Sequence, residues 1–137
     1  MVRINRINHV AILIDDLESA LSFWRDALGL TLSRVDDNSS EMAKVAFLPA
    51  GNSEIELVIP TSGDSGLARQ LEKRGPGIHH ICLEVDDIGG MIAHLKTKGV
   101  QLINQEPKVN EAGKKYVFIH PKSAQGVLVE LYELPKV

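Results

Sequence analysis

His9 and Glu56 in the first half of the chain, and His80 and Glu130 in the second, are imidazole and carboxylate groups recurring at matching places. That donor set suits a divalent metal ion. Each histidine precedes its glutamate by about 50 residues. Around them, Ile7-Asn8-His9-Val10-Ala11-Ile12-Leu13-Ile14-Asp15-Asp16-Leu17 repeats as Ile78-His79-His80-Ile81-Cys82-Leu83-Glu84-Val85-Asp86-Asp87-Ile88 at an offset of 71 residues. Phe47 falls on Phe118 at the same offset, and after a three-residue insertion Ile55-Glu56-Leu57 falls on Val129-Glu130-Leu131. Such repetition marks duplicated supersecondary units that pack on each other.

Two neutral imidazoles and two carboxylates accept Zn, Ni, Co, Mn or Fe in the divalent state and do not select among them. In an octahedral site, four protein ligands leave two positions for water or for two oxygens of one substrate. A carbonyl oxygen bound there is polarised, which stabilises the enolate formed when a neighbouring C–H loses its proton. The chemistry indicated is proton transfer next to a carbonyl. A lone histidine at a strand start is more often structural than a ligand; histidine at both repeat positions, with glutamate at both partner positions, favours the metal site.

Other candidates carry less. His79 points to the opposite face from His80, His94 falls on a helix surface, and His120 precedes Pro121 in a turn. Cys82 is expected to be a small buried thiol. Ser65, in Gly63-Asp64-Ser65-Gly66, is expected to cap a connector helix. No glycine-rich nucleotide-binding loop is present.

Positioning these groups requires strands. Residues 7–14 are expected to form a strand, followed by a capping box from Asp15 to Glu18 and a helix. Leu17, Ala20, Leu21, Trp24 and Leu28 make its apolar stripe, and Gly29 stops it. The second half repeats the plan, with Asp86 or Asp87 as N-cap, Ile88, Met91, Ile92 and Leu95 as the stripe, and Gly99 as the stop. Strands are expected at 30–35, 43–49 and 54–59, then at 100–103, 115–120 and 127–133. Each half is therefore β-α-β-β-β, an α+β chain of two tandem modules. A helix over 67–73 reads as the connector. Alternation places Glu130 on one strand face with Leu128 and Tyr132. A carboxylate in so apolar a run needs a partner, since leaving it buried and ionised costs several kcal/mol.

The composition is that of an ordinary globular chain, 44% hydrophobic and 24% charged over 137 residues. One repeat of roughly 60 residues is marginal alone. A single domain is therefore expected over 1–137, with a first module at 5–60, a connector at 61–77 and a second module at 78–134. A net charge of −3 and few aromatic residues argue against nucleic acid as a partner. The start of the chain lacks a secretion signal, and no apolar run approaches the ~20 residues of a membrane span, so a cytoplasmic location is expected. Cys82 is the only cysteine, which excludes an internal disulfide and a thiolate cluster.

The residues so far resemble the vicinal oxygen chelate (glyoxalase) superfamily, whose β-α-β-β-β modules pair around a divalent metal in an open barrel-like cleft. Within it the chain is similar to the methylmalonyl-CoA epimerase family. The similarity runs through Asn8-His9-Val10-Ala11, Val45-Ala46-Phe47-Leu48 and Glu54-Ile55-Glu56-Leu57, then Gly77-Ile78-His79-His80-Ile81-Cys82 and Glu84-Val85-Asp86-Asp87-Ile88. It closes with His120-Pro121-Lys122-Ser123 and Gly126-Val127-Leu128-Val129-Glu130-Leu131. The resemblance implies His9, Glu56, His80 and Glu130 as ligands of one divalent ion (Co, Ni, Zn, Mn or Fe). It implies epimerisation of (2R)- and (2S)-methylmalonyl-CoA by proton transfer at C2 through a metal-stabilised enolate. Glu130 and Glu56 would be the acid/base groups, Lys122 and Lys115 would meet the anionic end of the acyl-CoA thioester, and the assembly would be a homodimer. Some epimerases carry Gln where this chain has Glu56, which matches glyoxalase I instead. A Glu catalytic in some epimerases aligns near Lys44 or Val45, with Glu41 the nearest acid. The alternatives are glyoxalase I (lactoylglutathione lyase) acting on a glutathione hemithioacetal, an extradiol dioxygenase using iron, and a non-enzymatic small-molecule binder.

Overall fold

The computed structural model describes residues 2–39 and 41–136. Strands β1 (Ile4–Leu13), β2 (Arg34–Asn38), β3 (Ala43–Ala50), β4 (Ser53–Pro60), β5 (Gly77–Val85), β6 (Lys108–Val109), β7 (Lys115–Ile119) and β8 (Val129–Glu133) alternate with helices α1 (Leu17–Leu21), α2 (Gly66–Arg74) and α3 (Ile88–Thr97). The chain divides into two compact units, the first His9–His79 and the second Met1–Asn8 with His80–Val137.

In the first unit the strand order is β2-β3-β4-β1. β4 runs parallel to β1 and antiparallel to β3, because the α1 crossover separates β1 from β4 whereas a tight turn joins β3 to β4. One sheet face buries Ile14, Ala46, Leu48 and Leu57 against Leu21, with Leu17, Ala20 and Trp24 packed beside them. The cap of α1 is Asp16 rather than the expected Asp15: its Oδ1 accepts from the Glu18 amide at 3.2 Å and its Oδ2 from Ser19 Oγ at 2.9 Å. After Leu21 the helix widens into a π-helical turn, Ser22–Ala27, in which the Leu28 amide reaches back to the Phe23 carbonyl. The extra residue in that turn moves Leu28 off the 3.6-residue stripe, and it is 55% exposed. The strand expected at 30–35 begins only at Arg34; Leu30 and Leu32 pack on the core from an irregular segment.

In the second unit the order is β5-β8-β7-β6. Val85, Val117, Ile119, Val129 and Leu131 meet Ile88, Met91 and Ile92 of α3. Asp87 caps α3 by accepting from the Gly90 amide at 3.0 Å. A Cβ at position 90 would lie 2.5 Å from Asp87 Oδ2 and 2.8 Å from Val2, so this turn is built around glycine. The Arg3 amide donates to Asp86 and holds that carboxyl below the usual carboxylate range. Buried Glu133 accepts from the Ile88 amide at 2.9 Å, adding a carboxylate where the helix dipole favours one. The strand expected at 100–103 is reduced to a bridge between Leu102 and Ile119, and the short β6 pairs with the start of β7, at Lys115 and Tyr116. Asn110 and Gly113 (φ 81°) form the β6–β7 turn, a signal the hydrophobic pattern alone does not display.

The connector helix α2 begins at Ser65 as expected, with Ser65 Oγ accepting from the Ala68 amide at 3.1 Å. Among the described residues, no helix is long and apolar enough to cross a membrane.

The first unit relies on Leu57, which is fully buried under α1. Leu57→Ala is expected to cost about 3 kcal/mol, read as a lower urea midpoint with an unchanged slope.

Candidate metal and acid/base site

Strand register decides which side chains meet. In the first unit Ala11 pairs with Glu56 across β1 and β4. Cross-strand partners share a face, so His9, two residues before Ala11, lies diagonally beside Glu56. In the second unit Cys82 pairs with Glu130 across β5 and β8, and His80 holds the same diagonal place. Both units therefore carry the sequence repeat through to the same two-strand geometry. His9 Nδ1 lies 3.1 Å from Glu56 Oε2, and His80 Nε2 lies 3.0 Å from Glu130 Oε1.

These contacts take place in dry surroundings. His9 is 4% and Glu130 7% exposed, and Glu56 and His80 are half-buried. A carboxylate so placed is costly unless partnered, and the imidazole supplies the partner. The spacing also tests the donor set for a metal ion. Two ligand atoms at right angles, each about 2.1 Å from an ion, lie about 3.0 Å apart. Each pair has the separation of neighbouring ligands, and the N and O donors suit a borderline divalent ion.

The next strand adds a phenylalanine in both units. Phe47 of β3 pairs with Glu56, and Phe118 of β7 pairs with Glu130. Phe118 meets the His80 ring edge-to-face, with centroids 5.5 Å apart at 87°, which limits rotation of that imidazole. Phe47 instead lies under the Arg34 guanidinium, 3.9 Å from the ring centroid. Sequence comparison of the halves aligned the two phenylalanines without assigning them to this face; the signal available was their even spacing from the other residues of β3 and β7.

Between each His and Glu the sheet floor is a small residue, Ala11 in one unit and Cys82 in the other, both fully buried. Cys82 is thus the small buried thiol expected. His94 is exposed on α3, and His120 accepts from the Lys122 amide through Nδ1, so neither joins the site face. The two lysines singled out for the thioester's anionic end also lie elsewhere. Lys115 alternates with Tyr116, so it faces away from Phe118 and Glu130 and instead lies 3.8 Å from Glu133 Oε2. Lys122 is exposed in the 3-10 turn Pro121–Ser123. Lys44, in β3, is exposed and alternates out of the face that carries Val45 and Phe47.

The model of the Glyoxalase/Bleomycin resistance protein/Dioxygenase superfamily matches residues 8–118. The chain is 41% identical over 130 residues to the mitochondrial methylmalonyl-CoA epimerase of Mus musculus, covering 94% of this chain and 73% of that one. It is also 41% identical over 133 residues to the ethylmalonyl-CoA/methylmalonyl-CoA epimerase of Cereibacter sphaeroides, covering 96% and 99%. This chain belongs to the methylmalonyl-CoA epimerase family of that superfamily. Among solved structures, a hypothetical protein from Bacillus halodurans superimposes with a TM-score of 0.90 at 39% identity, covering 96% of both chains. The methylmalonyl-CoA epimerase of Mycobacterium tuberculosis gives 0.85 at 34% identity, covering 97% and 90%. The expected α+β fold of paired β-α-β-β-β modules is thus the fold of the epimerase family.

The fully buried Cys82 leaves no room for a longer side chain between His80 and Glu130. Cys82→Leu is expected to destabilise the protein by about 1–3 kcal/mol, and Cys82→Ala, which adds no volume, by less. Thermal unfolding of the two variants measures the difference.

Proposed function

We propose that the chain interconverts (2R)- and (2S)-methylmalonyl-CoA by moving the proton on C2, with His9, Glu56, His80 and Glu130 as the ligands of one divalent ion. The observation that carries this reading is the repeated pair. The same diagonal register sets an imidazole 3.1 Å from a carboxylate in one unit and 3.0 Å from a carboxylate in the other. Epimerisation takes a proton from one face of C2 and returns one to the other, so it calls for an acid/base group of similar strength on each side. Glu56 and Glu130 are those groups, with Glu130 the principal one. The neighbouring imidazoles keep each carboxylate aimed. Loss of the proton leaves a charge that spreads from C2 onto the thioester oxygen. When bound, the divalent ion supplies Lewis-acid stabilisation of that oxygen. A carboxylate held tightly by a cation is a weak base. With the ion held by these residues, Glu130 and Glu56 would take the C2 proton only where the ion leaves them basic, directly or through a bridging water that carries the proton.

Support for the substrate comes from relatives that resemble this chain along nearly its whole length. One of them is the Streptomyces coelicolor methylmalonyl-CoA epimerase, solved as a variant in complex with 2-nitronate-propionyl-CoA. It matches with a TM-score of 0.85 at 30% identity. Action as a homodimer belongs to the same proposal and rests on the family resemblance.

NMR of 2-methylmalonyl-CoA in deuterated water, before and after metal is stripped and restored, tests the reaction. Metal-dependent deuterium uptake at C2 with loss of stereochemical purity is expected; no exchange with any divalent ion rejects the reading and points to the glutathione hemithioacetal assay. His80→Ala is expected to lose bound metal and activity together, and full metal content measured by atomic emission would remove it from the ligand set. Glu130→Gln is expected to slow turnover by at least about 100-fold. An unchanged rate would remove Glu130 from the chemistry.

A further inference from the structure

On the face of the first unit that carries His9 and Glu56, the register continues through Phe47 to the edge strand. Glu56 pairs with Phe47, and Phe47 pairs with Arg34 of β2. Arg34 therefore shares the face of Glu56. Asp36 and Glu54, each two residues along its own strand, share it as well. Among the described residues of the first unit's sheet, Arg34 is the only arginine or lysine on that face, because Lys44 alternates out of it. The carboxylates of Asp36, Glu54 and Glu56 repel an anion, so Arg34 is the side chain there that attracts one.

Two contacts hold the guanidinium. Its Cζ lies 3.9 Å from the centroid of the Phe47 ring, and its Nε donates to Asp36 Oδ2 at 3.0 Å. The side chain is still 53% exposed, so it is open to a ligand from solvent. An arginine held through Nε presents the edge formed by Nη1 and Nη2, and among the described residues neither of these nitrogens has a hydrogen-bond partner. Two parallel N–H groups on that edge match the two oxygens of one carboxylate. Phe118, the counterpart of Phe47 in the second unit, packs against His80 rather than a guanidinium, so this arrangement is not part of the repeat.

We propose that Arg34 selects substrates by their free carboxylate: its Nη1–Nη2 edge binds the carboxylate attached to C2, while Phe47 and Asp36 hold the guanidinium in position. The proposal rests on the epimerase reading for its substrate. The spacing agrees with it. Adjacent strands lie about 4.8 Å apart, so a guanidinium over the Phe47 ring stands about 5 Å from the strand that bears Glu56. A carboxylate in contact with Arg34 at about 2.8 Å then has its parent carbon within reach of the Glu56 side chain. C2 of a malonyl thioester bears the carboxylate directly. Anchoring that group keeps C2 in place while the proton leaves and returns, and a thioester without the carboxylate loses the hold.

Calorimetric titration of the metal-loaded protein with equilibrated (2R)- and (2S)-methylmalonyl-CoA, and with propionyl-CoA, which differs only in lacking the carboxylate, tests this. The wild type is expected to prefer methylmalonyl-CoA. Arg34→Ala is expected to weaken binding of methylmalonyl-CoA about tenfold and to leave that of propionyl-CoA unchanged. The KM for methylmalonyl-CoA should rise by a similar factor. Arg34→Lys, which keeps the charge and loses the fork, should recover only part of the loss. Lys44→Ala, on the opposite face of the sheet, should change neither titration. Equal weakening of both thioesters in Arg34→Ala, or of neither, overturns the proposal. A preference that depends on Arg34 in a protein that exchanges no C2 proton would sink the epimerase reading and leave the carboxylate site standing. C2 exchange in an Arg34→Ala protein that keeps the full preference would sink the carboxylate site alone.

Discussion

A carboxylate within a β-sheet can be kept ionised only if something nearby carries a compensating donor or charge, and in this protein that partner is an imidazole on the adjacent parallel strand. The His–Glu contact depends on a diagonal step: the histidine sits two residues before the one directly opposite the glutamate. That step requires parallel strands in fixed register, and parallel neighbours require a crossover between them. The α1 crossover serves β1 and β4, and α3 serves β5 and β8. The helices therefore matter to the chemistry through the register they impose, and their apolar stripes hold that register by burying the opposite sheet face.

The repeated unit explains why two like His–Glu contacts arise from so few residues. Duplication supplies two carboxylates and two imidazoles in the same strand register, with His9 meeting Glu56 through Nδ1 and His80 meeting Glu130 through Nε2. The second unit departs from the first beyond the carboxylates, where tyrosines and lysines stand in place of valines packed by α2.

Much of this was visible in the chain. The repeat from Ile7 to Leu17 and Ile78 to Ile88 led to both strands, both helix starts and the two histidines, and the match of Ile55-Glu56-Leu57 with Val129-Glu130-Leu131 led to the two glutamates, because duplicated modules reuse the same alternation and the same cap chemistry. Ser65 was legible as a cap from its place before an apolar run. Where the expectation failed, a local feature outweighed the pattern. Leu28 satisfied a 3.6-residue stripe, but the π-helical turn Ser22–Ala27 rotated it into solvent. Leu30 and Leu32 alternated like strand residues and yet pack from an irregular segment, since only Ser33 finds a backbone partner on β3, the Phe47 carbonyl. Residues 101–103 do pair with the end of β7, through the Ile103 amide to the Phe118 carbonyl and the His120 amide to the Gln101 carbonyl, but the pairing is too short to make a strand, and β6 extends it further along β7.

The sequence by itself determined the residue types, the spacing of the two halves and the need for a partner beside Glu130, because these follow from composition, periodicity and the cost of burying charge. Tertiary structure decided which atoms meet. Pairing Ala11 with Glu56 and Cys82 with Glu130 set both His–Glu contacts near 3 Å, and a shift of one residue would have turned each glutamate to the other face. The same parity turned Lys115 toward Glu133 and brought Lys114 over Tyr132. Side-chain direction in a sheet is a property of register, and register belongs to two strands at once.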